Sequence, residues 1–209
     1  LFGTLWLTAL IFHYWQPQTL PLDTILAFGL IITLIDALRR PENALAGWMA
    51  TAVGALYIGM TVGQGVALRL LDNGLWWLLF AFFVTWTNDT TAYFVGVTLG
   101  RHKLWPRLSP KKTWEGTVGG WAGAAIMGGL VIWLTPLHAP IWLGVALGGA
   151  CGGLALLGDV AVSMLKRQVG AKDSGRFLPG HGGFLDRMDS LLFVMPFVYQ
   201  IVIFWNWVP

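Results

Sequence analysis

Apolar residues in this chain of 209 fall into long continuous runs rather than into alternating or one-faced patterns. Seven runs stand out: Leu1–Trp15, Leu22–Leu38, Ala44–Gly63, Leu75–Leu99, Thr117–Leu134, Ile141–Leu157 and Ser190–Val208. Each is too long for a soluble strand and too uniformly apolar for a helix with one wet face. A bilayer core takes about 20 apolar residues per helix, and in lipid an open chain satisfies its backbone only as helix. The runs therefore predict an all-α polytopic membrane protein with about seven transmembrane helices. Pro17, Pro21, Pro41, Pro136 and Pro140 stand at run ends, where helices stop. The pattern divides the chain into scaffold helices over 1–74 and a region over 75–209 that carries two polar loops, 100–116 and 159–189.

Composition narrows the class. The chain is 56% hydrophobic and 11% charged, against about 25% charged for a soluble domain. A disordered chain, a coiled coil and most soluble enzymes are excluded. The single Cys151 excludes an internal disulfide and a Cys-rich metal site. Trp15, Trp76, Trp77, Trp121, Trp142, Trp205 and Trp207 lie near run ends, as an interfacial aromatic belt would. Gly144, Gly148, Gly149, Gly152 and Gly153 allow close helix approach, and a homodimer through glycine-rich faces is one expectation. No basic segment precedes the first run, so Leu1–Trp15 is not read as a signal peptide. A longer native N-terminus is expected.

The positions of the charges test this layout. Arg39 and Arg40 follow the second run. Arg101, Lys103, Arg107, Lys111 and Lys112 follow the fourth, and Lys166, Arg167, Lys172, Arg176 and Arg187 follow the sixth. With seven spans, 12 of the 13 basic residues fall on one side, Arg69 being the exception. The positive-inside rule makes that side cytoplasmic. The net charge of +3 is then loop bias, not a nucleic-acid surface.

Two stretches depart from scaffold. Asn88-Asp89-Thr90-Thr91 interrupts the fourth run, where a carboxylate is costly without a cation or a wet cavity. Asp159 to Asp189 holds nine of the 23 charged residues within 31 positions. Asp159, Ser163 and Lys166/Arg167 have helical spacing along one face of an extended sixth helix. Pro179-Gly-His-Gly-Gly183 breaks regular structure and lets backbone approach an anion. Asp186 and Asp189 are three apart, on one helical face at the opening of the last run. In the other loop, Ser109-Pro110 is expected to start a turn, with Lys111, Lys112 and Thr113 leading into a helix. A hydroxyl and cations near a helix N-terminus suit phosphate. Carboxylates interleaved with lysines and arginines point to Mg²⁺ held by hard oxygens, with phosphates held by metal and cations together. Zinc is disfavoured, because His181 has no Cys or second His beside it.

At these residues the chain resembles a known family. Ser163-Met-Leu-Lys-Arg167, Lys172-Asp173-Ser-Gly175 and Leu178-Pro-Gly-His-Gly-Gly-Phe-Leu-Asp-Arg-Met-Asp189 are similar to the signature of the phosphatidate cytidylyltransferases, also called CDP-diacylglycerol synthases. Asp89-Thr-Thr-Ala-Tyr93, Gly96, Gly100 and Ser109-Pro-Lys-Lys-Thr-Trp-Glu-Gly116 extend the likeness upstream. Val162 stands where that family often has an acidic residue, and Thr91 where a small one is frequent. The family is generally longer at its N-terminus. The resemblance implies transfer of CMP from CTP to phosphatidate, giving CDP-diacylglycerol and pyrophosphate at an inner bacterial membrane. It implies Mg²⁺, with a second cation left open, on Asp159 and Asp186, with Asp189 and Asp89 as second choices. Lys166, Arg167, Lys172, Asp173, Arg187 and Asp189 would form the catalytic set. Asp89, Ser109, Lys111, Lys112, Thr113, Ser163, His181, Gly182 and Gly183 would contact substrate. A CTP-dependent polyprenol or phytol kinase is the alternative; it would release CDP instead of pyrophosphate.

Overall fold

The computed structural model describes residues 1–39, 41–106, 109–171, 174–175, 183 and 185–205. The chain forms two compact units, Leu1–Leu71 and Asp72–Pro209.

In the first unit, α1 (Phe2–Trp15), α2 (Leu22–Ala37) and α3 (Ala44–Leu70) follow the first three apolar runs. Pro21 is extended and caps α2, and the His13 ring bonds the Leu20 carbonyl at 2.8 Å across the turn. The core joins Trp6 and Leu10 of α1, Ile25 of α2, and Ala52 and Ala55 of α3. Gly29 leaves room for the Trp6 indole, and Gly63 for the Tyr14 ring. A short 3-10 turn, Pro41–Asn43, precedes α3, which runs to Leu70, past the Gly63 limit the sequence suggests.

In the second unit, α4 (Gly74–Thr98) leads into an antiparallel hairpin of β1 (Lys103–Trp105) and β2 (Ser109–Thr113). Then follow α5 (Trp114–Leu134), α6 (Ile141–Gln168), the one-turn α7 (Leu185–Met188) and α8 (Leu191–Phe204). α5 and α6 lie backbone to backbone. A methyl on Gly128 would run into the Gly144 carbonyl and come within 3.0 Å of Gly148 Cα. The glycines at 144, 148 and 152 are thus engaged within the chain. α8 lays Val194, Val198 and Val202 into the core, all fully buried.

Three expectations need correction. Ser109-Pro110 opens a strand of a hairpin, not a turn, although Lys111, Lys112 and Thr113 do lead directly into a helix, α5. Backbone pairing of Lys103 with Thr113 and of Trp105 with Ser109 holds the segment extended up to the helix start, and an irregularity between those pairs absorbs the unequal strand lengths. The last helix starts at Leu191, not Ser190, and Asp189 lies in the turn before it. Asp186 sits on α7, so the two acids do not share one helical face.

Large apolar side chains face outward on nearly every long helix. Phe28, Ile31, Ile35, Ile126, Trp133 and Trp142 are all more than half exposed. Such continuous apolar surface belongs in lipid. Among the described residues, Pro41–Leu70, Trp114–Leu134 and Ile141–Gln168 are long and apolar enough to cross a membrane. The protein is an α-helical membrane protein, with one small hairpin among the described residues. α1, α2 and α8, with 14, 16 and 14 residues, fall short of a hydrocarbon core of about 30 Å at 1.5 Å per residue. α4 has the length, with 25 residues, but its polar interruption lowers its hydropathy.

Candidate active site

Polar residues from several elements of the second unit line one cavity of about 780 Å³. α4 supplies Asn88, Asp89, Tyr93 and Gly96. The hairpin supplies Lys103, Lys111, Lys112 and Thr113. α5 supplies Thr117 and Trp121, α6 supplies Asp159, and Asp186, Asp189 and Ser190 close the remaining side. Segments up to a hundred residues apart in sequence (Asp89 to Asp189) thus meet around one space.

Local rules explain how each group is presented. Thr113 is extended and caps α5, its hydroxyl oxygen accepting from the Gly116 N–H at 3.2 Å. The hairpin is tied to the same helix start: the Trp114 N–H donates to the His102 carbonyl at 2.9 Å, and the His102 ring meets Glu115 at 2.6 Å. That holds Lys111 and Lys112 over the cavity. α6 continues unbroken past the apolar run, as its spacing predicts. The Ser163 hydroxyl donates to Asp159 Oδ1 at 3.2 Å, one turn away.

The charges meet in pairs. Lys112 Nζ lies 2.6 Å from Asp159 Oδ2, and Lys166 Nζ lies 2.6 Å from Asp186 Oδ1. The Asp186 side chain is 11% exposed, and its second oxygen accepts from the Ser174 N–H at 2.8 Å, the Ser174 hydroxyl at 2.9 Å and the Gly183 N–H at 2.8 Å. Burial alone would push this carboxyl up. The bonds from Lys166, Ser174 and Gly183 outweigh burial and hold it well below the usual carboxylate range. Asp189 goes the other way. Burial, joined by the charges of Asp159 and Asp89, pushes it up to about 6, despite a 2.7 Å bond from the Ser190 N–H.

Of the residues marked from sequence, Asp89, Lys111, Lys112, Thr113, Asp159, Asp186 and Asp189 line the cavity. Ser163, Lys166 and Gly183 bond to its carboxylates without lining it. Ser109, on β2, and the exposed Arg167 and Arg187 do not line it. Lys172, Asp173, His181 and Gly182 lie outside the described residues. Lys103 lines the cavity although sequence marked it only as a loop cation; its pairing with Thr113 across the hairpin brings it there. Asn88 and Trp121 line it too, although the sequence pattern gives Asn88 no role and places Trp121 in the aromatic belt.

The donor set is hard oxygen beside ammonium groups. Among the described residues no three His, Cys, Asp or Glu side chains form a metal cage of their own. Carboxylate oxygens are the donor type that a hard cation takes.

Residues 1–205 match the cytidylyltransferase family. The phosphatidate cytidylyltransferase of Bacillus subtilis (strain 168) is 43% identical over 151 residues, covering 72% of this chain and 56% of the relative. That of Staphylococcus haemolyticus (strain JCSC1435) is 35% identical over 186 residues, covering 89% of this chain and 71% of the relative. That of Staphylococcus aureus (strain COL) is 33% identical over the same length. The chain thus spans little more than half the length of the Bacillus relative. With the whole matched region carrying both the apolar helices and the polar cavity, the chain belongs to the cytidylyltransferase family, among relatives named phosphatidate cytidylyltransferase.

Proposed function

We propose that the protein transfers the cytidylyl group of CTP to phosphatidate, giving CDP-diacylglycerol and pyrophosphate. The observation that carries this reading is a cavity in which carboxylates of α4, α6 and α7 face lysines of the hairpin, on a scaffold with lipid-facing helices. A phosphate-bearing lipid and a nucleoside triphosphate both need such a place. The names of the relatives favour nucleotidyl transfer over the lipid-kinase alternative.

The chemistry needs no covalent enzyme nucleophile. An oxygen of the lipid phosphate attacks the α-phosphorus of CTP, and the bond from that phosphorus to the pyrophosphate oxygen breaks. Charge accumulates on the transferring and leaving oxygens, so positioning and charge neutralisation supply most of the catalysis. Lys103, Lys111 and Lys112 stand where they can bind triphosphate, and Lys166 stands behind Asp186. Asp159 and Asp186 are the residues we assign to Mg²⁺, with Asp89 and Asp189 in support and a second cation left open. Bound there, the metal would offset phosphate charge. Both assigned ligands hold a lysine in this structure, Lys112 from the cavity lining and Lys166 from behind it. Arg167, Lys172, Asp173, Arg187, Ser163, His181, Gly182 and Gly183 complete the proposed set.

The reading includes seven spans with the cavity facing the cytoplasm of a bacterial inner membrane, supported by the one-sided basic loops. It also includes a homodimer; since Gly144, Gly148 and Gly152 already serve α5, another surface would form that contact. Pyrophosphate release by the purified protein tests the activity. It is expected only when CTP, phosphatidate and Mg²⁺ are all present. Release that ignores phosphatidate would contradict the reading.

A further inference from the structure

We infer that Asn88 is a positioning residue that orients the Asp89 carboxylate in the cavity, and that Gly120 and Gly152 make the cleft that holds it. The inference rests on the function proposed above. Adjacent residues on a helix do not face each other. A bond from the Asn88 amide N–H to Asp89 Oδ1, 3.2 Å long, therefore needs the Asn88 rotamer to be fixed from outside its own helix. Two other helices do this. A methyl on Gly120 of α5 would lie 2.9 Å from Asn88 Oδ1, and one on Gly152 of α6 would lie 3.0 Å from it. Both sites have space for the amide only because they lack a side chain. Asn88 is 5% exposed, while Asp89 beside it opens into the cavity. A primary amide buried between three apolar helices is costly unless its bonds are used. Here the bond goes to a carboxylate that shares the cavity with Lys112 and Asp159. Plain helix packing at this crossing would call for Ala or Ser, not for an amide aimed at an acid.

The test uses the full chain in detergent, with kcat, the KM for CTP and the unfolding midpoint measured for wild type, Asn88→Ala, Gly152→Ala and the double variant. Each single substitution is expected to lower kcat about tenfold to a hundredfold, the scale for a reacting group displaced by about 1 Å. The KM for CTP and the midpoint are expected to stay near wild type. The double variant is expected to be no worse than the poorer single, because the tightest contact of the added methyl, at 3.0 Å, is with an amide that is no longer there, while Ala124 Cβ and Trp121 Cδ1 at 3.1 Å are met equally in the single and the double variant. An unchanged kcat in Asn88→Ala overturns the inference, as does a loss that follows the midpoint or multiplies in the double variant. Should Asn88→Ala fail to fold, Asn88→Ser, smaller and able to bond within its own helix, takes its place. A wild-type protein that makes no CDP-lipid overturns the proposed function. An active wild type beside an equally active Asn88→Ala overturns this inference alone.

Discussion

Asp186 and Asp189 show how position, not residue type, sets what an aspartate does. Asp186 collects four bonds that favour its charged form. Asp186→Asn keeps the shape but loses the charge, and is expected to cut turnover by about 10²–10³, the scale for losing one group that stabilises transition-state charge. Folding is expected to persist, checked by the unfolding midpoint; normal turnover at saturating Mg²⁺ would remove Asp186 from the site. Asp189 has its carboxyl raised to about 6 from an unfolded value of 3.8. Between those values the native state keeps a proton that the unfolded state has released, so stability falls as pH rises through the window. In metal-free protein, Asp189→Asn is therefore expected to raise stability at pH 7 on the order of 2 kcal/mol and to change little at pH 4. Equal effects at both pH values would show that burial does not govern this carboxyl. The identity of these acids was legible in sequence, because four aspartates in an otherwise charge-poor chain have no scaffold role. Their opposite protonation behaviour was not, because it depends on Ser174 and Gly183 folding back onto Asp186 and on Asp159 and Asp89 arriving beside Asp189.

At the scale of elements, apolar run length located the helices, because lipid demands helix whatever the local propensity. It did not locate ends that leave the apolar zone. α3 and α6 continue for a turn or more beyond their runs because no proline or capping glycine stops them. The hairpin was missed because Lys103–Thr113 has neither a clean alternation nor an Asn-Gly or Asp-Gly turn. Its stabilisation comes from α5, through Thr113, Trp114 and Glu115. Glycine content likewise announced close packing without naming the partner. Gly128→Ala is expected to destabilise the protein by about 1–3 kcal/mol, because the methyl meets the Gly144 backbone, which cannot turn aside. Gly54→Ala, with nothing within 4 Å, is expected to be neutral or stabilising by up to about 1 kcal/mol. Comparable unfolding midpoints for the two variants would contradict the packing described for α5 and α6.

For the whole molecule, scarcity of charge is the organising fact. Only 11% of residues are charged, and seven of them, Asp89, Lys103, Lys111, Lys112, Asp159, Asp186 and Asp189, line one cavity of the second unit. A membrane protein that handles a charged lipid and a charged nucleotide has to bring both to such a place. The central claim is that the lipid phosphate attacks the α-phosphorus of CTP. Purified protein given Mg²⁺, phosphatidate and CTP labelled at either the α- or the γ-phosphorus tests it most directly. The account predicts α label in the lipid phase and γ label in water-soluble pyrophosphate. Label from the γ-phosphorus in the lipid, with CDP released, would contradict it.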